Sequence, residues 1–440
     1  MSKTHDMIEW FRASSTYINA HRNKIFVVSL SGEALDSGNL PNIIYDLSLL
    51  HSLGVKLVLV HGSRPQITRA LSESGKVSSY HRNNRITEAE NMQLIRQVVG
   101  GLSIHLESLF TMGLSNSPMH GADIRLCRGN FVTAKPLGIH DGVDFQYTGK
   151  VRKIHAQAIE QQLAHKNIVL LSNLGYSLTG EVFNLTVEEV ATEAAIALKA
   201  DKLILLIPSD GVKDELGKLV PALSEKDAKL HLGKLAGNDD NVSICTVHAL
   251  EAALKAFANN VHRSHLISFE ENGALLQELF TREGSGSLLS GDNFDELRNA
   301  SITDVAGIIA LIKPLEQEGS LVARSRELLE TEIENFKVIE LEGSIIACAA
   351  LYPFTDEVGE LACIAIHPQY QKHGYGERLL SSLETEAGKK GLKKLFVLTT
   401  VAAHWFIEKG FSEGALADLP LKRQLMYNYQ RKSKVLLKQL

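Results

Sequence analysis

The chain has 440 residues, 44% of them apolar and 22% charged, with a net charge of −5. That length holds two domains or three, each able to bury a core, and the charge balance, without a long basic run, excludes a general nucleic-acid binder. No apolar stretch is long enough to cross a bilayer and the opening "MSKTHDMIEWFRASS" lacks the apolar centre of a signal peptide, so a soluble cytoplasmic protein is expected.

Taken in chain order, the first apolar runs are 25–30 ("IFVVSL"), 55–60 ("VKLVLV"), 168–171 ("IVLL") and 203–207 ("LILLI"), with helix-like segments such as 41–53 and 188–200 between them. Continuous apolar strands alternating with helices predict an α/β domain, an open and mostly parallel sheet with helices on both faces. Several runs pass straight into turns bearing glycine or serine: "SGE" at 31–33, "HGSRP" at 61–65, "SNLG" at 172–175 and "PSDG" at 208–211. Ligands of such sheets sit at the carboxyl ends of the strands, so this half is built to bind a small molecule.

The small, glycine-rich tract "TREGSGSLLSGDN" at 281–293 marks a boundary, and the expected division is 1–284, a linker at 285–295, and 296–440. Beyond it the pattern changes. A short strand at 297–301 precedes a helix at 303–312 with Val305, Ile308, Ile309 and Ile312 on one face and Thr303 or Asp304 as cap. Two strands hinged at Glu342-Gly343 span 337–352, followed by a strand at 360–366, a glycine loop, a helix at 377–387, a strand at 392–400 and a short helix in "AAHWFIEKGF". This order describes a compact α+β domain.

The glycine loop is "QKHGYG" at 371–376. A dinucleotide loop needs GxGxxG after the first strand and an acid about 20 residues on, and a nucleotide-cleaving loop needs Gly-Lys-Ser/Thr; neither is present. What remains is a Q/R-x-x-G-x-G/A turn opening a helix, whose first N–H groups and dipole suit a pyrophosphate.

With this loop at its centre, the order of elements over 297–430 resembles the GNAT-type N-acetyltransferases. The strings "LIKPLEQEGSLVARSRELLE", "IACAALYPF", "GELACIAIHPQYQ", "KLFVLTTVAAHWFIEKGF" and "LMYNYQRKSKVL" resemble, more closely, the bacterial N-acetylglutamate synthase family of amino-acid N-acetyltransferases. The first half, from "FRASSTYINAHRNKIFVVSLSGEALDSG" through "LVHGSRPQI", is similar to the amino-acid-kinase-like domain of the same two-domain enzymes. The resemblance implies acetyl transfer from acetyl-CoA to L-glutamate at the start of arginine biosynthesis, feedback inhibition by L-arginine, no metal, and a homo-oligomer joined through the N-terminal helix, a hexamer among the forms it suggests.

Residue by residue, the resemblance gives Gln371, Lys372, His373, Gly374, Tyr375 and Gly376 the CoA pyrophosphate. Cys363, Ile364 and Ala365 would offer backbone N–H groups to the acetyl oxygen as it gains charge. Glu360, heading that strand, is the expected base for the substrate ammonium. Arg324, Thr399 and Arg431, with the backbone of Cys363, are the expected contacts to a dicarboxylate acceptor, which requires cations and favours the bidentate fork of arginine. Ala323 stands where the family pattern "VRRSRE" has its first arginine, so either Arg324 takes that role or the enzyme is weakened. Phe406 stands where many GNAT enzymes carry a tyrosine acid. The four cysteines, Cys127, Cys245, Cys348 and Cys363, are widely spaced without a CxxC pair, which fits a reducing compartment. With no His or Asp partner in its neighbourhood, Cys363 is expected to serve by packing or backbone and not as an acyl carrier.

Related amino-acid kinases carry Lys-x-Gly-Gly on the first strand and His-Gly-Gly-Gly on the second. This chain has Ser29-Leu30-Ser31-Gly32 and His61-Gly62-Ser63-Arg64, without the lysine and with side chains where phosphate would lie. The resemblance assigns this half to sensing L-arginine, with Tyr17, Lys213, His262, Glu283 and Gly286 as the inhibitor contacts. Two readings from other classes stay open at this point, an acetylglutamate kinase and an arginine-sensing regulator without catalysis.

Overall fold

The structure is a computed structural model that describes residues 3–112, 119–235, 240–281, 284–291, 295–341, 344–354, 357–371 and 374–440. It divides into two compact units, Met1–Asp292 and Asn293–Leu440.

The first unit is organised by an eight-stranded sheet. Its strands are β1 (Ile25–Leu30), β2 (Lys56–His61), β3 (Leu126–Cys127), β4 (Ile168–Ser172), β5 (Lys202–Ile207), β6 (Ala222–Leu223), β7 (Arg263–Ser268) and β8 (Ser287–Ser290), in the spatial order β6-β8-β7-β5-β1-β2-β4-β3. All neighbours run parallel except β7 and β8. The strands are apolar throughout because both faces are covered. Val27, Val58, Val60, Leu203 and Leu205 face one core, against helices that include Val187–Ala197 and Asn241–Ala258. Phe26, Val28, Leu57, Leu59, Ile204 and Leu206 face the other, against α2 (Leu40–Ser52), Met92–Thr111 and Ala274–Phe280. The alternation of Cβ directions along each strand divides them in this way. The N-terminal helix α1 (Lys3–His21) is tied down where His21 Nε2 meets the Leu279 carbonyl at 2.8 Å.

The expected linker over 285–295 is corrected here. Ser287–Ser290 forms β8, antiparallel to β7, and Asp295 already begins the next unit's first strand. The composition concealed the strand because a polar residue, Ser287, is satisfied inside the sheet. Ser287 Oγ donates to the Val220 carbonyl at 2.7 Å and accepts from Val212 N–H at 2.8 Å, while Leu289 is fully buried.

Among its described residues the second unit has seven strands: β9 (Asp295–Asn299), β10 (Phe336–Leu341), β11 (Ser344–Pro353), β12 (Val358–Ile366), β13 (Lys394–Thr399), β14 (Ser412–Gly414) and β15 (Lys434–Gln439). They lie in the order β9-β10-β11-β12-β13-β15-β14, and only β12 and β13 pair in parallel. On one face Leu379, Leu380 and Leu383 of Tyr375–Lys389 pack over Leu351, Leu361 and Leu395; on the other, Val305, Ile308 and Ile312 of Val305–Gln317 pack over Val338, Cys348 and Ala350. Val305–Gln317 begins directly after Asp304, one of its two expected caps, whose side chain makes no cap bond to the helix and instead closes a Ser301–Asp304 capping box on the preceding 3-10 turn. Glu342-Gly343, the expected hinge between β10 and β11, lies outside the described residues.

Candidate active site

The site in the second unit is made by the way β12 fails to be regular. Opposite β11, Cys348 pairs with Ala365 and Ala350 with Ala362, so two residue steps on β11 face three on β12. The extra residue is a β-bulge, and it sits where Cys363 adopts φ +53°, a left-handed conformation that costs a non-glycine residue on the order of 1 kcal/mol or more. On its other side β12 pairs with β13 only from Val358 to Leu361, although β12 continues to Ile366 and β13 to Thr399. The two parallel strands therefore part beyond Leu361, and Cys363 and Ile364 lie at that opening, outside both ladders. A chain of amides at a bulge beside a parted pair of strands can receive an oxygen that gains negative charge.

The helix that follows β12 starts at Tyr375 and runs to Lys389, and Gly374 caps it at φ +79°, where any L side chain is strained. Its hydrogen bonding begins with Arg378 N–H to the Gly374 carbonyl at 3.1 Å. The N–H groups of the first turn thus point away from the helix body, the arrangement that binds anions. Gly376 is required for a different reason: a Cβ there would lie 3.1 Å from both Ile366 and Trp405. Gln371 ends the turn before the loop, and Lys372 and His373 lie outside the described residues.

Glu360 is nearly buried on β12, opposite Tyr352 on β11 and Phe396 on β13. Both carboxylate oxygens are bound by one residue that the sequence reading did not single out. Arg423 donates from Nε to Oε2 at 2.8 Å and from Nη2 to Oε1 at 3.0 Å. Arg423 lies in the short helix Leu421–Leu425, and no motif or spacing distinguishes it from the other basic residues nearby.

The expected acceptor contacts fall on neighbouring segments. Arg324 is half-buried next to Cys363, Tyr352 and Glu332; burial works against its charge, but these neighbours raise its pKa on balance. Tyr352 donates to Glu332 at 2.8 Å, and burial together with that bond pushes its hydroxyl pKa up. Arg431 donates from Nη2 to the Gly319 and Ser320 carbonyls at 2.8 and 3.0 Å, which ties it to the segment leading into Arg324. Thr399 accepts from the Val401 and Ala402 N–H groups at 3.3 and 2.9 Å, so its oxygen shapes the turn after β13. Cys363 is buried, and its carbonyl lies 3.6 Å from Cys348 Sγ; the Cys348 thiol and Arg324 lower its pKa, with burial opposing.

In the first unit the strand-end turns at Ser31-Gly32 and Gly62-Arg64 border a cavity that Asn173, Asn184 and Glu188 also line, and several of their polar atoms are held from within. His61 is fully buried, its Nε2 lies 2.7 Å from Ser103 Oγ, and burial drives its pKa down to about 4. Ser63 donates to Asn173 at 2.9 Å, which in turn donates to Asn184 at 3.0 Å.

The expected inhibitor contacts are only partly gathered. Tyr17 packs against the core that includes Leu279 and Phe280, and Lys213 is exposed, 3.3 Å from Asp210. Gly286 donates its N–H to Glu278 at 2.9 Å. His262 precedes β7 while Gly286 precedes β8, and the antiparallel ladder sets them at opposite ends, about 17 Å apart along the strand. Glu283 lies outside the described residues. Glu278, which the sequence reading did not single out, holds the backbone at Ser285 and Gly286. Burial opposes its charge, yet His265 Nδ1 at 2.7 Å and the Ser285 and Gly286 N–H groups bring its pKa down to about 2. Among the described residues no group of three or more His, Cys, Asp or Glu could hold a metal ion, and no helix is long and apolar enough to cross a membrane.

Comparison with known proteins agrees with this division. The amino acid kinase family model matches residues 24–268 and the acetyltransferase (GNAT) family model matches residues 306–411. An amino-acid acetyltransferase of Ectopseudomonas mendocina is 51% identical, covering 98% of this chain and 99% of its own. One from Pseudomonas aeruginosa is 50% identical over 99% of this chain and all of its own length. A crystal structure of N-acetylglutamate synthase from Neisseria gonorrhoeae, complexed with coenzyme A and L-arginine, superposes with a TM-score of 0.87 at 34% identity, covering 98% of this chain and 99% of that one. A second structure from that organism, with coenzyme A and N-acetyl-glutamate, superposes with a TM-score of 0.62 at 35% identity over the same shares.

Proposed function

The chain belongs to the amino-acid acetyltransferase family, and on that premise we propose that it transfers the acetyl group of acetyl-CoA to the α-amine of L-glutamate, under inhibition by L-arginine bound to the first unit. One observation carries the chemistry: the bulge at Cys363-Ile364 lies on one strand between Glu360 and the glycine-opened helix at Gly374–Gly376. The helix start takes the CoA pyrophosphate, with Gln371 to Gly376 as its cradle. The bulge N–H groups receive the acetyl oxygen, and Glu360, six residues before the end of the strand by number, takes the ammonium proton.

The reaction balances without a metal. An N–H bond of the ammonium breaks and an O–H bond forms on Glu360. The amine lone pair attacks the acetyl carbon, the C–S bond breaks, and the thiolate leaves with the second amine proton. Arg324 and Arg431 fix the acceptor through its α-carboxylate. Each has one nitrogen on backbone carbonyls, Arg324 Nη1 on Val322 at 3.2 Å and Arg431 Nη2 on Gly319 and Ser320, and offers the others to the acceptor.

The soluble cytoplasmic protein of this reading assembles as a homo-oligomer through α1, whose Ile8 and Phe11 are exposed apolar residues. Light scattering of the full chain and of Phe11→Glu checks that assembly: a smaller species is expected for the variant, and an unchanged mass removes α1 from the interface. Thiol release should require both acetyl-CoA and L-glutamate, and L-arginine should reduce it. Turnover with another amino acid in the panel and none with glutamate would remove the substrate assignment.

A further inference from the structure

The Glu360–Arg423 pair raises a problem for the proton acceptor and suggests its own solution. A base needs an accessible lone pair, yet each Glu360 oxygen gives one to the same guanidinium, at 2.8 and 3.0 Å, and the others lie where the two side chains are only 9% and 19% exposed, so little of the carboxylate is open to an incoming ammonium. Simply removing Arg423 from such a site would strand a charge, at a cost that makes spontaneous release rare. An exchange of carboxylates avoids that cost, since the guanidinium stays paired throughout.

The surroundings favour an exchange at Arg423. The backbone of Leu421–Leu425 is fixed, with Arg423 N–H on the Pro420 carbonyl at 2.7 Å and Gln424 Nε2 on the Leu419 carbonyl at 2.7 Å. The remaining Arg423 nitrogen, Nη1, has only a long contact of 3.4 Å to the Met426 carbonyl. With the backbone held, and with no close partner for the guanidinium among the described residues besides Glu360, a change of carboxylate lets the guanidinium turn without moving the helix. Arg324, beside Cys363, and Arg431, held by Gly319 and Ser320, lie on separate segments and leave Arg423 as the cation in contact with the base itself.

We propose that Arg423 is a specificity-determining positioning residue: the side-chain carboxylate of the acceptor takes the Arg423 guanidinium, and Glu360 is released to accept the proton of the acceptor's ammonium. This rests on the reading of Glu360 as the proton acceptor. The charge balance closes, because the released carboxylate is neutralised by the ammonium proton while the guanidinium keeps a carboxylate partner. An acceptor of the same length without the second charge, such as L-glutamine, makes no such exchange and leaves the base tied. Discrimination then arises in turnover as well as in binding.

The test compares kcat and KM of the full chain for L-glutamate and L-glutamine in the wild type, Arg423→Gln and Arg423→Lys, with folding checked by thermal melting. In Arg423→Gln the glutamate-to-glutamine ratio of kcat/KM should fall at least tenfold, because glutamate loses its trigger while glutamine is no longer held off the base. Arg423→Lys, which keeps the charge without the fork, should lie between. A ratio unchanged in both folded variants overturns the exchange. If Arg423→Gln does not fold, Arg423→Lys decides alone by the same ratio. Glu360→Gln separates the two levels: a pH profile it does not alter removes Glu360 as base, whereas a lost acid limb with an unchanged Arg423 ratio retains the base and overturns only the exchange.

Discussion

Two strand-to-helix turns in this chain share a backbone plan and differ in what occupies them. In the first unit β2 runs into Arg64–Glu73 through His61, Gly62 and Ser63. Its polar atoms are used internally: His61 on Ser103, Ser63 on Asn173, and Arg64 stacked 5.0 Å from the Tyr80 ring centre. In the second unit β12 runs into Tyr375–Lys389 through a loop whose described glycines, Gly374 and Gly376, place no side chain over the helix start. The first turn keeps side chains over a cavity at the strand ends, whereas the glycines of the second leave its helix start bare. A chain needs only one of its two turns bare to be an enzyme.

Four perturbations bear on that contrast, and the largest effect is expected at Glu360. Glu360→Gln should lower kcat by roughly 10²–10⁴-fold and flatten the acid side of the pH profile, as loss of a general base does. Arg324→Gln comes next. It should raise KM for glutamate about 10–100-fold with a smaller change in KM for acetyl-CoA, since a charged hydrogen bond contributes about 1.5–3 kcal/mol.

In the first unit the consequence is one of stability. The folded-state pKa of His61 is depressed by burial to about 4, so as pH falls from 6.5 the unfolded chain takes up a proton that the folded one refuses. Its contribution is complete above pH 6.5, is lost as pH falls towards 4, and amounts to roughly 3 kcal/mol at most. His61→Gln should therefore flatten the fall in melting temperature across that window while leaving acetyl transfer intact. The smallest effect belongs to Cys363→Ala, where kcat should stay within a few-fold of wild type. An acyl-carrying thiol would instead cost several orders of magnitude.

The parts that were legible in the sequence are those set by local physics. The strand at Ile25–Leu30 was readable to the residue because two buried faces demand an unbroken apolar run. The glycine turn was readable as a helix start because its cap, Gly374, takes a left-handed conformation that strains any other residue. Strand β7, "RSHLIS", was not readable, because its buried His265 looks polar in sequence and is satisfied only by Glu278 and Lys202 from distant elements. The bulge at Cys363 depends on register against β11, which no residue type announces. Arg423 lies 63 positions from the carboxylate that it holds, in a stretch with several basic side chains.

The contrast between the two turns is tested most directly by offering one purified sample both chemistries. Free thiol is measured with acetyl-CoA and L-glutamate, and phosphate transfer is measured with ATP, magnesium and N-acetylglutamate. Glutamate-dependent thiol release, reduced by L-arginine, with no phosphate transfer above background, is the predicted result. Phosphate transfer that depends on N-acetylglutamate, or thiol release indifferent to glutamate, would contradict it.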